Sequence, residues 1–191
     1  VRRGDPGSPN HGTGASDGIA GSDDTPHPRA VAGVGIAGAE TAGAADVKSA
    51  FLAGGCFWGL EAYLRGIDGV TSTTVGYAQS NTPHPSYEQV CSGITDAAET
   101  VRSDFDPSLV SLHTLALLLL DAIDPYSVDQ QGNDIGRQYR SALFFLDETQ
   151  HAVYDDVMRQ LAARDGRTPA VGVEALRNFS PAEPHHQDLL E

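Results

Sequence analysis

Gly54-Gly55-Cys56-Phe57-Trp58-Gly59 places a lone cysteine between flexible glycines and two large aromatic residues. Just upstream, the apolar run 50–53 is typical of the end of a short strand. Just downstream, Phe57, Leu60 and Leu64 recur at helical spacing. The sequence therefore predicts that the cysteine lies where a strand turns into a helix.

At such a turn the sulfur of Cys56 would face unpaired backbone N–H groups and the positive end of the helix dipole. This environment lowers the pKa of a thiol and favours the nucleophilic thiolate, so we expect a reactive sulfur beside an apolar aromatic wall. A structural alternative stays open, because free cysteines often pack as small buried hydrophobic residues.

Composition divides the chain into two parts. Residues 1–46 hold ten glycines, four prolines and no aromatic residue. Glycine and proline at about 30% are typical of disordered segments, which cannot bury enough apolar surface to offset the entropy of ordering. We therefore predict a disordered Gly/Pro-rich tail over 1–46 and a single folded domain over 47–191.

Charge and hydropathy exclude several classes of partner. The formal net charge is −14, and Lys48 is the only lysine. No basic patch is available to neutralise phosphates, so we expect no nucleic acid and no anionic membrane surface as partners. The chain has no apolar run near the roughly 18 residues that span a bilayer.

The cysteines and histidines point away from disulfides and metals. Cys56 and Cys91 are the only two cysteines, which is too few for a disulfide framework and typical of a reducing compartment, so we expect a cytoplasmic protein. His185 and His186, with Glu183 nearby, lack the spacing of metal ligands, and no metal site is predicted.

Strands and helices alternate along the domain. The predicted order of βαβ, β, α, β, α favours an α/β fold, a two-layer α/β sandwich with a ferredoxin-like mixed sheet, packed helices and long coil segments. The expected strands cover 50–53, 70–77, 99–105, 139–146 and 170–176, and the expected helices cover 57–65, 108–121 and a stretch from 147 to Gly166.

A few polar residues outside the cysteine turn are candidates for chemistry. Tyr87, Glu99 and Tyr139 fall at strand ends or loop edges, but spacing alone cannot bring them to Cys56. Asp134 is the only acid in a glycine-punctuated loop, which by itself is more typical of a solvated turn.

Three sequence motifs, found in the same order as in a known family, together make a specific resemblance. They are Ala-Gly-Gly-Cys-Phe-Trp-Gly at 53–59, Pro-Ser-Tyr-Glu-Gln-Val-Cys-Ser-Gly at 85–93, and Gln-Gly-Asn-Asp-Ile-Gly-Arg-Gln-Tyr-Arg-Ser at 131–141. Together with Glu99 and the Pro181-Ala182-Glu183 and His186-Gln187 fragments, they resemble the peptide methionine sulfoxide reductase A family over about Phe51 to Gln187.

The resemblance implies an oxidoreductase, a peptide-methionine (S)-S-oxide reductase, in which a cysteine thiolate attacks the sulfoxide sulfur and becomes a sulfenic acid. It also implies a role for each matching residue. The catalytic residues are Cys56 as nucleophile, Glu99 as acid, and Tyr87 and Tyr139 as holders of the sulfoxide oxygen, while Phe57 and Trp58 cradle the substrate methyl group and Asp134 binds the substrate backbone or a water.

The same resemblance sets the expected partners. No cofactor is implied, the substrate is methionine sulfoxide, free or in oxidised proteins, and the reductant is thioredoxin or a small thiol. We expect a monomer. Many relatives carry a recycling cysteine after the His-Gln segment and this sequence does not, so we expect one essential cysteine and direct reduction of its sulfenic acid by an external thiol.

Some positions depart from the family pattern. Family members usually have Gly-His before Ala-Glu, whereas this chain has Asp96-Ala97 before Ala98-Glu99. Such changes leave open a redox-sensing or sulfoxide-binding module of the same fold with impaired turnover. A thiol acyl-transfer hydrolase is a third possibility, and it requires His185 or His186 beside Cys56.

Overall fold

The computed structural model describes residues 46–190. The predicted disordered tail over 1–46 lies outside the described residues except for Asp46, and it stays a prediction. Within the described part, no helix has both the length and the apolar character needed to cross a membrane.

A six-stranded mixed sheet forms the centre of the fold. Its strands are β1 (Lys48–Ala53), β2 (Val70–Ala78), β3 (Ala98–Phe105), β6 (Ala142–Phe145), β7 (Gly172–Ala175) and β8 (Phe179–Pro181), and a separate two-stranded hairpin is made by β4 (Gln130–Gln131) and β5 (Asp134–Ile135). The spatial order is β7-β6-β1-β3-β2-β8, and only β6 and β7 run parallel. Strand β1, which leads into the turn with Cys56, and strand β3, which carries Glu99, are therefore direct neighbours.

Helices cover one face of this sheet. They are α1 (Phe57–Arg65), α2 (Tyr87–Cys91), α3 (Leu112–Ala122) and α4 (Glu148–Asp165), with 3-10 turns at Arg137–Tyr139 and Pro184–His186. Strand alternation decides which side chains meet the helices: Ala50 and Leu52 join the core beneath α1, α3 and α4, while Phe51 and Ala53 pack on the opposite face. The predicted α/β sandwich with a mixed sheet and packed helices is confirmed.

Several elements differ from the sequence-based expectation. No helix was predicted at α2, yet the Ser86 hydroxyl caps it by accepting a hydrogen bond from the Gln89 backbone N–H, and the Gln89 side-chain oxygen accepts one from the Ser86 backbone N–H. Helix α3 begins later than expected, because Ser111 caps it and Asp106 closes only a turn through Ser108.

The stretch expected to be one strand over 139–146 divides in two. Tyr139 ends a 3-10 turn, and strand pairing starts only at Ala142. The polar loop before it forms the small β4–β5 hairpin, and strand β8 lies where coil was expected. Tyr139 is thereby held in a turn just before β6 and not inside a strand.

Candidate active site

The strand-to-helix turn predicted around the cysteine is confirmed. Strand β1 ends at Ala53, two glycines follow, and Cys56 is the N-cap residue of α1 with its thiol half-buried. Gly55 has φ of +82°, and a β-carbon there would lie 2.7 Å from the β-carbon of Gln131. Glycine is required at this turn for both conformational and steric reasons, and the turn sets where the thiol points.

The expected lowering of the thiol pKa is wrong. Burial is the largest influence and raises the pKa of Cys56, and the negative charges of Glu99 and Asp134 raise it further. The backbone N–H groups of Trp58 and Gly59 act in the expected, lowering direction but do not outweigh burial and the two carboxylates. The resting nucleophile is therefore a thiol, and it needs a base to take its proton.

Glu99 is the group that can accept the thiol proton. It is the second residue of β3, only 1% exposed, and its Oε2 accepts a 3.0 Å hydrogen bond from the backbone N–H of Phe57. Burial raises the pKa of Glu99 to about 7, and the charge of Asp134 adds to that increase. A carboxyl group with this pKa can both accept and donate a proton at neutral pH.

Two tyrosines complete the polar side of the site. Tyr87 opens α2 and Tyr139 closes the first 3-10 turn, and both are partly exposed. Burial raises the pKa of both phenols, and the charge of Glu99 raises each of them further. Both hydroxyls thus stay protonated at neutral pH and can act as hydrogen-bond donors close to Glu99.

Aromatic rings form the apolar side of the site. The ring of Phe57 is fully buried, and Trp58, half-buried, lies 6.0 Å from it between ring centroids. Trp58 also stacks on Tyr87 at 6.4 Å and on His186 at 5.5 Å. Trp58 supplies the exposed part of the wall, and Phe57 supports it from behind.

Asp134 is brought to the same place by the β4–β5 hairpin. It is partly exposed, and its charge acts on Cys56, on Glu99 and on Tyr139. The structure therefore brings together all seven residues singled out from the sequence, although they come from four separate stretches of the chain.

Sequence reasoning missed the part that the C-terminal segment plays in this assembly. Glu183 accepts hydrogen bonds of 2.9 Å from the Tyr87 backbone N–H and from the Tyr77 hydroxyl. His186 is 5% exposed and packs 4.6 Å from the ring of Tyr87. The only available signal was the resemblance of the Glu183 and His186 fragments to the family's C-terminal segment, and the structure shows that they fix the position of Tyr87.

In the described part of the chain, His185 and His186 make no hydrogen bond to the thiol. The ring nitrogens of His186 have no hydrogen-bond partner, and neither His185 nor His186 bonds to Cys56 among residues 46–190. Over that same range no group of three His, Cys, Asp or Glu side chains could hold a metal ion. The arrangement needed for a cysteine–histidine hydrolase is therefore not present in the described part of the chain.

Comparisons with known proteins point to one family. The family model for peptide methionine sulfoxide reductase matches residues 48–191. The peptide methionine sulfoxide reductase MsrA of Ureaplasma parvum is 42% identical over 145 residues, which cover 76% of this chain and 88% of that protein. MsrA of Lachnoclostridium phytofermentans is 41% identical, with 75% and 87% covered.

Solved structures agree. Mxr1 from Saccharomyces cerevisiae in its reduced form superposes with a TM-score of 0.71 at 33% identity, covering 75% of this chain and 84% of that one. Methionine sulfoxide reductase A of Corynebacterium diphtheriae gives a TM-score of 0.68 at 29% identity, covering 78% and 76%. Mxr1 in complex with Trx2 matches at 23% identity and a TM-score of 0.53, covering 73% and 84%, which extends the likeness of fold.

Proposed function

The chain belongs to the peptide methionine sulfoxide reductase family, and we propose from that premise how its residues carry out the reaction. The protein is an oxidoreductase that reduces methionine sulfoxide at the expense of thiols. One observation supports the assignment of roles: the half-buried thiol of Cys56 and the buried carboxyl of Glu99 both lie at the first turn of α1, where Glu99 accepts a hydrogen bond from Phe57 and its charge acts on the thiol.

Glu99 first acts as the acceptor for the thiol proton. The carboxyl group titrates near pH 7 and the thiol at more alkaline pH, so over the range between them the pair holds one proton in total. Moving that proton from sulfur to carboxyl yields a thiolate beside a carboxylic acid. This minor form contains both the nucleophile and the acid that the reaction needs.

The thiolate of Cys56 then attacks the sulfur of the bound sulfoxide. As the S–O bond breaks, the oxygen gains negative charge, takes the proton from Glu99, and is held by the hydroxyls of Tyr87 and Tyr139. The attack joins the two sulfurs in an S–S bond as the S–O bond breaks. The released, protonated oxygen then bonds to the sulfur of Cys56 while the S–S bond breaks and its electron pair goes to the substrate sulfur, so Cys56 becomes a sulfenic acid and the substrate leaves as methionine. Cysteine sulfur is oxidised by two electrons and the substrate sulfur is reduced by two.

External thiols complete the cycle. A first thiol displaces water from the sulfenic acid to form a mixed disulfide, and a second thiol releases Cys56 as a thiol together with an oxidised disulfide. A thioredoxin is one candidate donor because Mxr1 has been solved with Trx2, and a small thiol is the other.

Free thiols at Cys56 and Cys91 suit a reducing compartment, so we propose a cytoplasmic monomer.

Placement of the wall and the donors supports selectivity for one epimer. Trp58 offers an apolar ring for the methyl group, and Glu99 with the Tyr87 and Tyr139 hydroxyls offers proton and hydrogen-bond donors for the oxygen. A sulfoxide sulfur has three different substituents and a lone pair, so only one hand can place both groups correctly while exposing sulfur to the thiolate. We propose that this hand is the S epimer.

We expect multiple turnovers of methionine-S-sulfoxide with dithiothreitol as reductant, and a rate at least about 100-fold lower for the R epimer, the size of effect that one misplaced donor group produces. Chromatographic separation of each epimer from methionine measures both rates. If the enzyme stops after one turnover although dithiothreitol is in excess, the result would instead favour the impaired redox-sensing module. Equal rates for the two epimers would remove the proposed selectivity.

A thiol titration tests the one-cysteine cycle. The chain holds two cysteines, both free, and the charges that act on Cys56 come from Glu99 and Asp134, whereas Cys91 acts on Tyr87. After one equivalent of methionine sulfoxide without reductant, we expect one thiol to be lost and a dimedone adduct to form at Cys56. Loss of both thiols with an intramolecular disulfide would overturn the one-cysteine claim.

A further inference from the structure

Asp96, which stands where the family usually has glycine, forms an ion pair with Arg137. Asp96 lies two residues before β3, three residues before Glu99, and has a left-handed backbone with φ of +52°. Its carboxylate accepts a hydrogen bond from Nε of Arg137, and the two side chains form an ion pair. Arg137 opens the 3-10 turn that Tyr139 closes.

A second arginine ties the same two segments through their backbones. Arg140 is 8% exposed, and its guanidinium donates 3.0 Å hydrogen bonds to the carbonyl of Asp96 and to the carbonyl of Arg137. Nη1 of Arg137 also lies 3.6 Å from Oδ1 of Asp129. Two guanidinium groups thus connect the start of β3 with the 129–140 segment, which contains both Asp134 and Tyr139.

We propose that Asp96 and Arg137, backed by Arg140, form a latch that holds the 129–140 segment against β3 and so positions Asp134 and Tyr139 relative to Glu99. This inference rests on the proposed function, because it concerns proton transfer by that same Glu99. Asp96 and Arg137 are positioning residues: the groups that meet the substrate are Tyr139 and Asp134, and the latch fixes where these two stand.

The latch has an electrostatic consequence at Glu99. The titratable groups that face this carboxyl are Cys56 at the start of α1, Tyr77 on β2, Tyr87 on α2, Asp134 on β5, and Tyr139 in the 3-10 turn. Only the last two belong to the latched segment. The nearby charge of Asp134 raises the pKa of Glu99, so a segment that moves away lets that pKa fall.

The pH profile of the enzyme therefore reports on the latch. Below the pKa of Glu99 both the carboxyl and the thiol are protonated, no base can take the thiol proton, and kcat/KM falls on the acid side. Releasing the latch lowers the pKa of Glu99 and shifts this acid limb to lower pH. It also loosens the Tyr139 hydroxyl, which lowers the rate of the reductase step. A loss of stability alone would lower the rate without moving the limb.

Three variants separate these effects. Asp96→Asn removes the charge but keeps a side chain that tolerates left-handed backbone, and Arg137→Gln removes the partner. Asp96→Gly breaks the ion pair, leaves the carbonyl for Arg140 and relieves the left-handed backbone, which offsets the larger entropy of glycine in the unfolded chain. Arg164→Gln is the matched control, since Arg164 pairs with Asp165 and Asp121 away from the site.

We expect each latch variant to lower the single-turnover rate of sulfoxide reduction about threefold to fivefold and to move the acid limb to lower pH, while Arg164→Gln changes neither. The double variant Asp96→Asn/Arg137→Gln should be no slower than Arg137→Gln alone, because the Asp96–Arg137 pair is already lost in that single variant. A wild-type rate and limb in Asp96→Asn and Asp96→Gly, or additive losses in the double variant, would overturn the latch. An inactive wild-type enzyme would instead overturn the proposed function.

Discussion

Cys56→Ser is expected to abolish sulfoxide reduction, lowering the single-turnover rate by more than about 1,000-fold. Serine keeps nearly the same shape at the first turn of α1, but its hydroxyl is a far weaker nucleophile towards sulfur than a thiolate. It also cannot store the oxygen as a sulfenic acid. The measurement is methionine formed from methionine-S-sulfoxide by one equivalent of enzyme, read by chromatography.

The variant should fold, which makes the result informative. The Cys56 side chain is half-buried and makes no capping hydrogen bond, and a serine is itself a favourable N-cap residue. Cys91→Ser is the matched control, because Cys91 is exposed, ends α2, and is replaced by a side chain that can keep its hydrogen bond with Tyr87. With dithiothreitol present, Cys91→Ser should turn over at close to the parent rate. Reduction by Cys56→Ser at a rate near that of Cys91→Ser would exclude the mechanism.

Local sequence was enough to place the nucleophile but not to set its protonation state. Glycines flanking Cys56, an apolar run before it and helical spacing after it could be read from neighbouring residues, and the turn is where they indicated. The pKa was judged from the helix terminus alone, and the direction was wrong. The carboxylates that oppose ionisation of the thiol arrive from β3 and β5, more than 40 residues away, through sheet register and hairpin geometry.

The assembly of the site depends on contacts that no spacing reveals. Glu99 reaches the start of α1 because β1 and β3 are adjacent antiparallel strands, and Tyr87 is held by Glu183 from the far end of the chain. The capping box at Ser86 and Gln89 was readable and would have predicted α2. Strand β8 was not, since it consists of three residues that pair only because β2 offers an edge.

Position 96 illustrates how a departure from a family pattern can be compensated. A left-handed backbone favours glycine, and aspartate is among the few residues that accept it at modest cost. Here the aspartate gains an arginine partner on the segment that carries Tyr139. Aspartate at position 96 adds an ion pair with Arg137 that glycine could not form. The altered loop before β3 is therefore not by itself an argument for lost activity.

Glu99→Gln is expected to lower activity and raise stability at the same time. Without a carboxyl group there is no acceptor for the thiol proton and no acid for the sulfoxide oxygen, and general acid–base groups contribute about 100-fold to 10,000-fold. We therefore expect the single-turnover rate to fall at least about 100-fold at pH 7. The acid limb of the pH profile that arises from Glu99 should vanish in this variant.

The stability gain follows from the sign of the pKa shift. Burial raises the pKa of Glu99 from 4.5 to about 7 in the folded state, so the folded protein binds this proton more tightly than the unfolded chain does. Folding is favoured while the carboxyl is protonated, and this advantage is lost as pH rises through about 7. The ionised buried group then costs about 3 kcal/mol of the free energy of unfolding.

Glutamine avoids this cost and can still accept the hydrogen bond from the Phe57 backbone N–H through its amide oxygen. Thermal unfolding should show Glu99→Gln several degrees more stable than the parent at pH 8. The two should converge at about pH 4, below the ordinary pKa of 4.5, where the carboxyl is neutral in the folded and the unfolded chain alike. If the variant were destabilised equally at both pH values, Glu99 would be a structural cap with an ordinary pKa, and the proton transfer from Cys56 would need another acceptor.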